Sequence, residues 1–313
     1  MDISSVIVTY NSAPCIAECV RSLLGQEGVR AELMVVDNAS ADDTVRVVRN
    51  LGASPHLIAN RENVGFGRAC NQAFAASHGR FLFLLNPDAH LEQRDGLARL
   101  CRALEEHPRW GLAGTRIISL DGRTEACGNT KYPDQDRFPC DFSTLPGALA
   151  WVFGASMIIR REGFAAVDGF DPGFFLYFEE TDLCLRMRQH GWEIGFIPEV
   201  AVRHIGGASE HGHDPYETWL RRMTGLHRFW AKHYPPEDVR RLVRKDWFRA
   251  SFRRQWYSIM VRFHGPASRA WSKHRKYAAI SEASWHFLSA GDGKSAISHQ
   301  ACPSTVKHSL LWF

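Results

Sequence analysis

The sequence predicts an α/β protein: a mostly parallel central sheet flanked by helices, with a helical extension at the C-terminus. Three observations carry this. Strand-like and helix-like runs alternate in βαβαβα order over roughly the first 90 residues, the pattern of a parallel sheet with helices on both faces. Each strand-like run ends in a small polar cluster. Beyond about Glu210 the strand pattern disappears, and aromatic residues at helical spacing are interleaved with arginines.

In chain order, Ser4–Asn11 is a β-branched strand that ends in Thr9-Tyr10-Asn11. A helix follows, with Ile16, Val20, Leu23 and Leu24 on one face and Glu18 and Arg21 on the other. Leu33–Val36 is a buried strand ending at Asp37-Asn38. Ser40 is placed to cap the next helix, where Asp42 and Asp43 suit the positive end of the dipole. His56–Ala59 is a third strand, followed by Asn63-Val64-Gly65-Phe66-Gly67 and a helix over Arg68–Ser77. The glycines let backbone N–H groups approach a phosphate, although turns use glycine freely and the dinucleotide fingerprint fails at Cys70.

Phe81-Leu82-Phe83-Leu84-Leu85 is an unbroken apolar run. Period alone does not separate a buried strand from a buried helix, but Gly79 before it and Pro87 after it favour a short strand. It delivers Asn86-Pro87-Asp88 to the carboxyl end of a central strand, where open α/β sheets bind ligands. Asp37 and Asp88 each have a plainer reading as turn or loop residues. Four polar clusters at consecutive strand ends are harder to explain that way.

The second half supplies a glycine- and aromatic-rich loop over 163–174, then Tyr177-Phe178-Glu179-Glu180-Thr181-Asp182. This opens a helix with three acids in its first turn and Arg186 and Arg188 further along. Dipole complementarity explains such a turn on a surface helix. Aromatic neighbours and clustered carboxylates also raise a pKa towards that of a general base. Ile194–Val202 reads as a strand leading to His204, a structural histidine or a ligand. His211 and His213 lack the spacing of a tetrahedral zinc site.

Charge is uneven: residues 219–276 carry sixteen Lys/Arg against three acids, although the whole chain is only +4. That points the C-terminal part towards an anionic surface. The eight cysteines form no CxxC pair, and no signal-like segment leads the chain, so free thiols in a reducing cytoplasm are expected. No stretch reaches the roughly 18 to 20 apolar residues of a membrane span.

Val8-Thr9-Tyr10-Asn11-Ser12, Val36-Asp37-Asn38-Ala39-Ser40, Asn63-Val64-Gly65-Phe66-Gly67 with Asn71, and Leu85-Asn86-Pro87-Asp88 together resemble the family 2 glycosyltransferases of GT-A fold. The likeness is to their bacterial rhamnosyltransferase-like branch. It continues through Phe153–Arg161, Gly169-Phe170-Asp171 and Phe174–Arg186, over roughly residues 3–207. The resemblance implies a Rossmann-like GT-A domain over 1–210, with a nucleotide-binding half (1–115) and an acceptor half (116–210). A basic helical region (211–288) and a tail (289–313) expected to be mobile follow.

By that resemblance, Asp37 binds the pyrimidine of a dTDP- or UDP-sugar donor, with Thr9, Tyr10 and Asn11 lining the pocket. Asn63, Gly65 and Arg68 border the ribose and diphosphate. Asp88 binds Mg2+ or Mn2+ as the last acid of the family's Asp-x-Asp motif. Asn86 stands at the first acid, which leaves one carboxylate where other branches have two. Such a hard cation stabilises the charge of a departing diphosphate. His204, followed by glycines, is carried over to the same centre. Glu180 is the implied base that deprotonates the acceptor hydroxyl, and Glu179 orients the acceptor. Asp182 fixes the helix or takes the base role if the register differs. Attack opposite the leaving diphosphate inverts the anomeric centre in one displacement.

At the C-terminus, Leu220, Met223, Leu226, Phe229 and Trp230 form a helix that Pro235-Pro236 stops. Over Trp247–Phe263 a second pattern sets Phe248, Phe252, Trp256, Ile259, Met260 and Phe263 against Arg249, Arg253 and Arg254. This fits either a membrane interface or a helix packed on the catalytic domain. No nucleic-acid-binding motif accompanies the charge. The function expected is sugar transfer, rhamnose being one candidate, to a glycan or lipid-linked acceptor in cell-surface polysaccharide synthesis. The expected location is cytoplasmic, with the protein peripheral on the inner face of the membrane. A processive synthase and a non-catalytic nucleotide-sugar-binding module are the alternatives.

Overall fold

The computed structural model describes residues 1–52, 55–124, 128–205, 214–265 and 268–290. In chain order the elements are β1 (Ile3–Thr9), α1 (Ile16–Leu24), β2 (Ala31–Asp37), α2 (Thr44–Arg49), β3 (His56–Ala59), α3 (Phe66–Ala76), β4 (Phe81–Leu85), β5 (Ala89–Leu91), α4 (Gly96–Glu106) and β6 (Trp110–Ser119). They continue with β7 (Gly128–Asn129), β8 (Trp151–Val152), β9 (Ser156–Arg160), α5 (Arg161–Ala166), α6 (Glu179–Gln189), β10 (Glu193–His204), α7 (Pro215–His233), α8 (Pro236–His264) and α9 (Arg269–Ser289).

The main sheet has eight strands in the order β3-β2-β1-β4-β9-β6-β10-β5. The first four in that order are parallel, as the βαβαβα reading requires. Beyond β4 the sheet is mixed: β9 runs antiparallel between β4 and β6, and β5 runs antiparallel to β10. Strand order reverses at β1, with β2 on one side and β4 on the other. The crevice beyond the carboxyl ends of β1 and β4 is therefore the topological switch point, where such sheets bind ligands.

The unbroken apolar run of β4 is explained by burial on both faces. Phe81, Phe83 and Leu85 join Ile16, Val20, Leu97 and Leu100 of α1 and α4 in one cluster. Leu82 and Leu84 join Ala69 and Ala73 of α3 and Leu183 and Met187 of α6 in the other. Each such side chain contributes about 1.5–3 kcal/mol. A third cluster joins Phe229 and Trp230 of α7 and Val239, Leu242 and Val243 of α8 to Phe174, Tyr132 and Leu185 of α6. The start of the C-terminal extension thus shares a core with α6 and the segments around Tyr132 and Phe174.

Several expectations need correction. Ser40 does not cap α2: its hydroxyl donates to Asp37 Oδ1 at 2.6 Å, and Asp42 accepts from the Thr44 N–H instead. The 163–174 segment is not all loop, because Arg161–Ala166 forms α5. Pro235-Pro236 ends α7 and also starts α8, Pro236 taking the first helical position where its missing N–H costs nothing. The amphipathic Trp247–Phe263 stretch is thus the later part of one 29-residue helix. Cys15, Cys19, Cys70, Cys101, Cys140 and Cys184 are free thiols. Among the described residues no helix is long and apolar enough to cross a membrane. Gly206, Gly207, His211, His213 and the tail from 291 lie outside the described residues.

Candidate active site

The first part of the site is built by register. Thr9 and Asp37 are paired across the ends of β1 and β2, and the Thr9 hydroxyl donates to Asp37 Oδ1 at 2.8 Å. The Ser40 backbone N–H donates to Asp37 Oδ2 at 3.0 Å, so the buried carboxylate is fixed from three sides. Asn11, with φ of 50°, ties the end of β1 to the 40–41 turn: its N–H donates to Ser40 Oγ and its Oδ1 accepts from the Ala41 N–H. Tyr10 stands exposed beside it. A carboxylate has about four acceptor positions, so Asp37 retains capacity for a donor from a ligand.

The Asn63–Arg68 stretch does something the motif did not reveal. Gly65 has φ of 87°, and a Cβ there would lie 2.5 Å from the Phe175 carbonyl oxygen, which accepts from the Phe66 N–H at 3.0 Å. A Cβ on Gly67 would meet Phe170 Cβ at 2.9 Å. Arg68 Nε donates to the Pro172 carbonyl, and Asn71 exchanges two hydrogen bonds with the Phe170 backbone. The paired glycines therefore let the 170–175 loop dock on the start of α3, and the first helical N–H is spent on that loop rather than left for a phosphate. Asn63 holds the turn by accepting from the Gly65 N–H.

The second part lies past β4. Asp88 is buried, and His204 Nε2 lies 3.3 Å from its Oδ1. The antiparallel β5–β10 ladder sets this distance: His204 is in register with Ala89, and the Ile205 N–H donates to the Asp88 carbonyl. Asn86, partly exposed, donates its N–H to the Ala155 carbonyl. Among the described residues no cluster of three or more His, Cys, Asp or Glu side chains stands ready for a metal. One carboxylate with one imidazole nevertheless suits Mg2+ or Mn2+ that takes its remaining ligands from a diphosphate and water.

The third part is the start of α6. Tyr177 and Phe178 both adopt left-handed conformations, with φ of 73° and 70°, and turn the chain sharply into Glu179. Non-glycine residues rarely do this, and such strain persists only where the surroundings hold it. Here α7 supplies the clamp. A Cβ on Gly225 would lie 2.5 Å from the Tyr177 carbonyl oxygen, and the Arg222 guanidinium lies 4.9 Å from the Tyr177 ring centroid. Glu179 Oε2 and Glu180 Oε2 are buried and accept no hydrogen bond among the described residues. Burial pushes the Glu180 carboxyl up to about 7; it also pushes Glu179 well above the usual range, with the Glu180 charge adding to the effect. A Cβ on Gly154 would sit 3.7 Å from Glu180, while the next residue's carbonyl binds Asn86. The 154–155 turn thus touches both the Glu180 side chain and the Asn86 backbone that follows β4.

Asp182 is differently placed. Its Oδ2 accepts from Arg186 Nε at 2.7 Å, and its Oδ1 lies 2.7 Å from both His233 Nε2 and Lys232 Nζ of α7. Burial raises its pKa, but the His233 hydrogen bond and the Arg186 and Lys232 cations outweigh this and hold it well below the carboxylate range. A carboxylate this engaged has no proton affinity to offer an acceptor. Lys232 also reaches Asp171 at 2.7 Å, joined there by Arg228. Arg186 and Arg188, which the sequence offers as dipole complements, point at loop carbonyls: Gly169 for Arg186, and Leu145, Pro146 and Gly147 for Arg188. The role of α7 went unread in the sequence. Gly225, inside an otherwise periodic helix, was its one signal of close backbone approach.

Comparison with known proteins agrees with this geometry. Residues 4–180 match the model of glycosyl transferase family 2. The chain belongs to that family and is a glycosyltransferase of glycan synthesis. It is 24% identical over 250 residues to the N-acetylglucosaminyl-diphospho-decaprenol L-rhamnosyltransferase of Mycobacterium tuberculosis, covering 67% of this chain and 78% of that protein. Among solved structures, the mannosyltransferase PcManGT from Pyrobaculum calidifontis in complex with GDP-Man and Mn2+ superposes with a TM-score of 0.56 at 18% identity, covering 91% of this chain and 86% of that one. TarS from S. aureus, residues 1–349, in complex with UDP-GlcNAc gives 0.54 at 16% identity, covering 97% of each. These structures share the GT-A fold.

Proposed function

We propose that this enzyme is an inverting transferase that moves a sugar, rhamnose first among the candidates, from a dTDP- or UDP-sugar to a lipid-linked glycan acceptor. It works at the cytoplasmic face of a membrane in cell-surface polysaccharide synthesis. Asp37, oriented by Thr9 and Ser40, accepts a hydrogen bond from the pyrimidine, with Tyr10 and Asn11 at the pocket edge. Asn63, Gly65 and Arg68 border the ribose and diphosphate through the loop they anchor. Asp88 and His204 would hold Mg2+ or Mn2+, which when bound supplies positive charge to the departing diphosphate. Asn86 contributes a neutral amide beside it.

Glu180 takes the proton of the acceptor hydroxyl as that oxygen attacks the anomeric carbon. The carbon–oxygen bond to the diphosphate breaks on the opposite face, so no enzyme nucleophile is needed. Glu179 orients the acceptor, and Asp182 positions α6 without exchanging protons. The observation that carries this reading is the pair of buried oxygens, Glu179 Oε2 and Glu180 Oε2, that accept no hydrogen bond among the described residues, with the Glu180 side chain beside Gly154. The test is a panel of nucleotide sugars assayed for binding and hydrolysis with and without Mn2+. A pyrimidine nucleotide sugar should bind and be hydrolysed in a metal-dependent way. Equal binding of purine and pyrimidine donors would remove the assigned role of Asp37, and metal-independent hydrolysis would remove that of Asp88.

A further inference from the structure

The later part of α8 is separate from the site above and is built unlike the rest of the molecule. Phe248, Phe252, Trp256, Ile259 and Phe263 recur every three or four residues, and each is at least half exposed. They form one crest about 22 Å long, at 1.5 Å per residue. A soluble surface rarely leaves so many large apolar groups in one line. Arg249, Arg253, Arg254 and Arg262 flank the crest, exposed and without an ion pair among the described residues. Beside it, a groove of about 500 Å³ between α8 and α9 is lined by Phe252, Arg253, Trp256, Tyr257 and Tyr277. Within the groove Arg253 donates to the Tyr277 hydroxyl at 3.0 Å and lies 5.3 Å from that ring, which stacks on Tyr257. Its guanidinium is therefore aimed by neutral partners, with no carboxylate to neutralise it.

We propose that this face docks on an anionic lipid bilayer. The crest enters the headgroup–acyl boundary, and the α8–α9 groove takes a lipid phosphate against Arg253. Charge selects this occupant. The surrounding segment, residues 219–276, carries sixteen Lys/Arg against three acids, so a second copy brought to the same face would oppose cation to cation. A nucleic acid would satisfy the arginines but leave the aliphatic and phenyl crest in water. An anionic bilayer satisfies both, since headgroups meet the arginines while the apolar crest reaches acyl chains. The surface is also joined to the catalytic helix. Arg275 of α9 pairs with Asp214 at the start of α7, Phe287 of α9 packs on His227, and α7 in turn holds Asp182 and Tyr177. The proposal rests on the reading that the enzyme works at a membrane.

The test uses the full chain and co-sedimentation with vesicles of phosphatidylcholine alone and of phosphatidylcholine with phosphatidylglycerol. Wild type should pellet with the anionic vesicles and weakly with the neutral ones. Arg253→Gln/Arg254→Gln should bind anionic vesicles roughly fivefold more weakly for each arginine neutralised. Phe252→Ser/Trp256→Ser/Phe263→Ser should lose pelleting altogether. Both variants should hydrolyse a nucleotide-sugar donor in solution at the wild-type rate, which separates a failure of this surface from a failure of the transferase reading. Undiminished pelleting of the aromatic variant would overturn the proposal. So would a wild-type dimer that this variant dissociates, or binding of a single-stranded oligonucleotide in place of vesicles.

Discussion

The two sides of the active site are held by different means. On the proposed nucleotide side, Thr9, Asp37 and Asp88 follow strands of the parallel half of the sheet, and register brings Thr9 to Asp37 across β1 and β2 and His204 close to Asp88 across the antiparallel β10–β5 ladder. On the acceptor side, Glu179 and Glu180 sit at the start of a helix entered through two left-handed residues. Their position depends on α7, about fifty residues later in the chain, through Gly225, Lys232 and His233. A strand end is positioned by backbone hydrogen bonds that most substitutions leave intact. A strained helix start is positioned by side-chain packing and ion pairs, and single substitutions reach it.

That contrast sets the expected effects. Asp88→Ala should have the largest effect on the nucleotide side, about 10³-fold in metal-dependent donor hydrolysis, because no second carboxylate at Asn86 can replace it. Hydrolysis at the wild-type rate would break the metal assignment. Asp182→Ala leaves Lys232 and His233 facing a buried gap, and removing one partner of a buried ion pair costs about 3–5 kcal/mol. Denaturant unfolding would read this as a lowered midpoint, and no change would show that α6 is held by packing alone. Gly225→Ala pushes a methyl against the Tyr177 carbonyl, a strain of about 1–3 kcal/mol. It should lower kcat while leaving donor KM unchanged; a matching rise in donor KM would mean that α7 supports the nucleotide side as well. Thr9→Val should be mildest, since it removes one hydrogen bond to Asp37, worth about 1 kcal/mol, and weakens donor binding about fivefold. A loss of kcat instead would join the two sides.

The same contrast explains what could be read in the sequence. The strand-end residues were legible because an apolar run followed by a polar cluster marks both the strand and where it stops. That Asp37 ends β2 and Asp88 follows β4 could be read this way, while their proposed roles came from the family resemblance. The role of Ser40 was misread, and the packing role of the Gly65–Gly67 pair was missed, because local grammar, a cap and a phosphate turn, competes with tertiary contacts at Asp37 and at Phe170 and Phe175. Nothing local separates Glu180 from Asp182, two residues apart on one helical turn. The distinction lies in His233 and Lys232, which no spacing rule connects to them. Helix α9 falls within the expected helical region over 211–288 but had no pattern of its own, because its buried face is Ala278, Ala279, Ser281, Ala283 and Ser284. These small residues allow close approach to α8, where Ser251 and Ser281 hydroxyls meet at 2.9 Å, but they leave no hydrophobic period to detect.

The most direct test of the central claim, that Glu180 is the base, is the pH dependence of kcat at saturating donor in wild type and in Glu180→Gln. A base works deprotonated, and burial raises this carboxyl from 4.5 to about 7. Wild-type kcat should therefore rise about tenfold per pH unit below 7 and level off above it. Glu180→Gln should lose that ascending limb and about 10²–10⁴-fold in kcat, with donor affinity unchanged. A variant that keeps the limb, or that loses its donor affinity instead, would contradict the assignment.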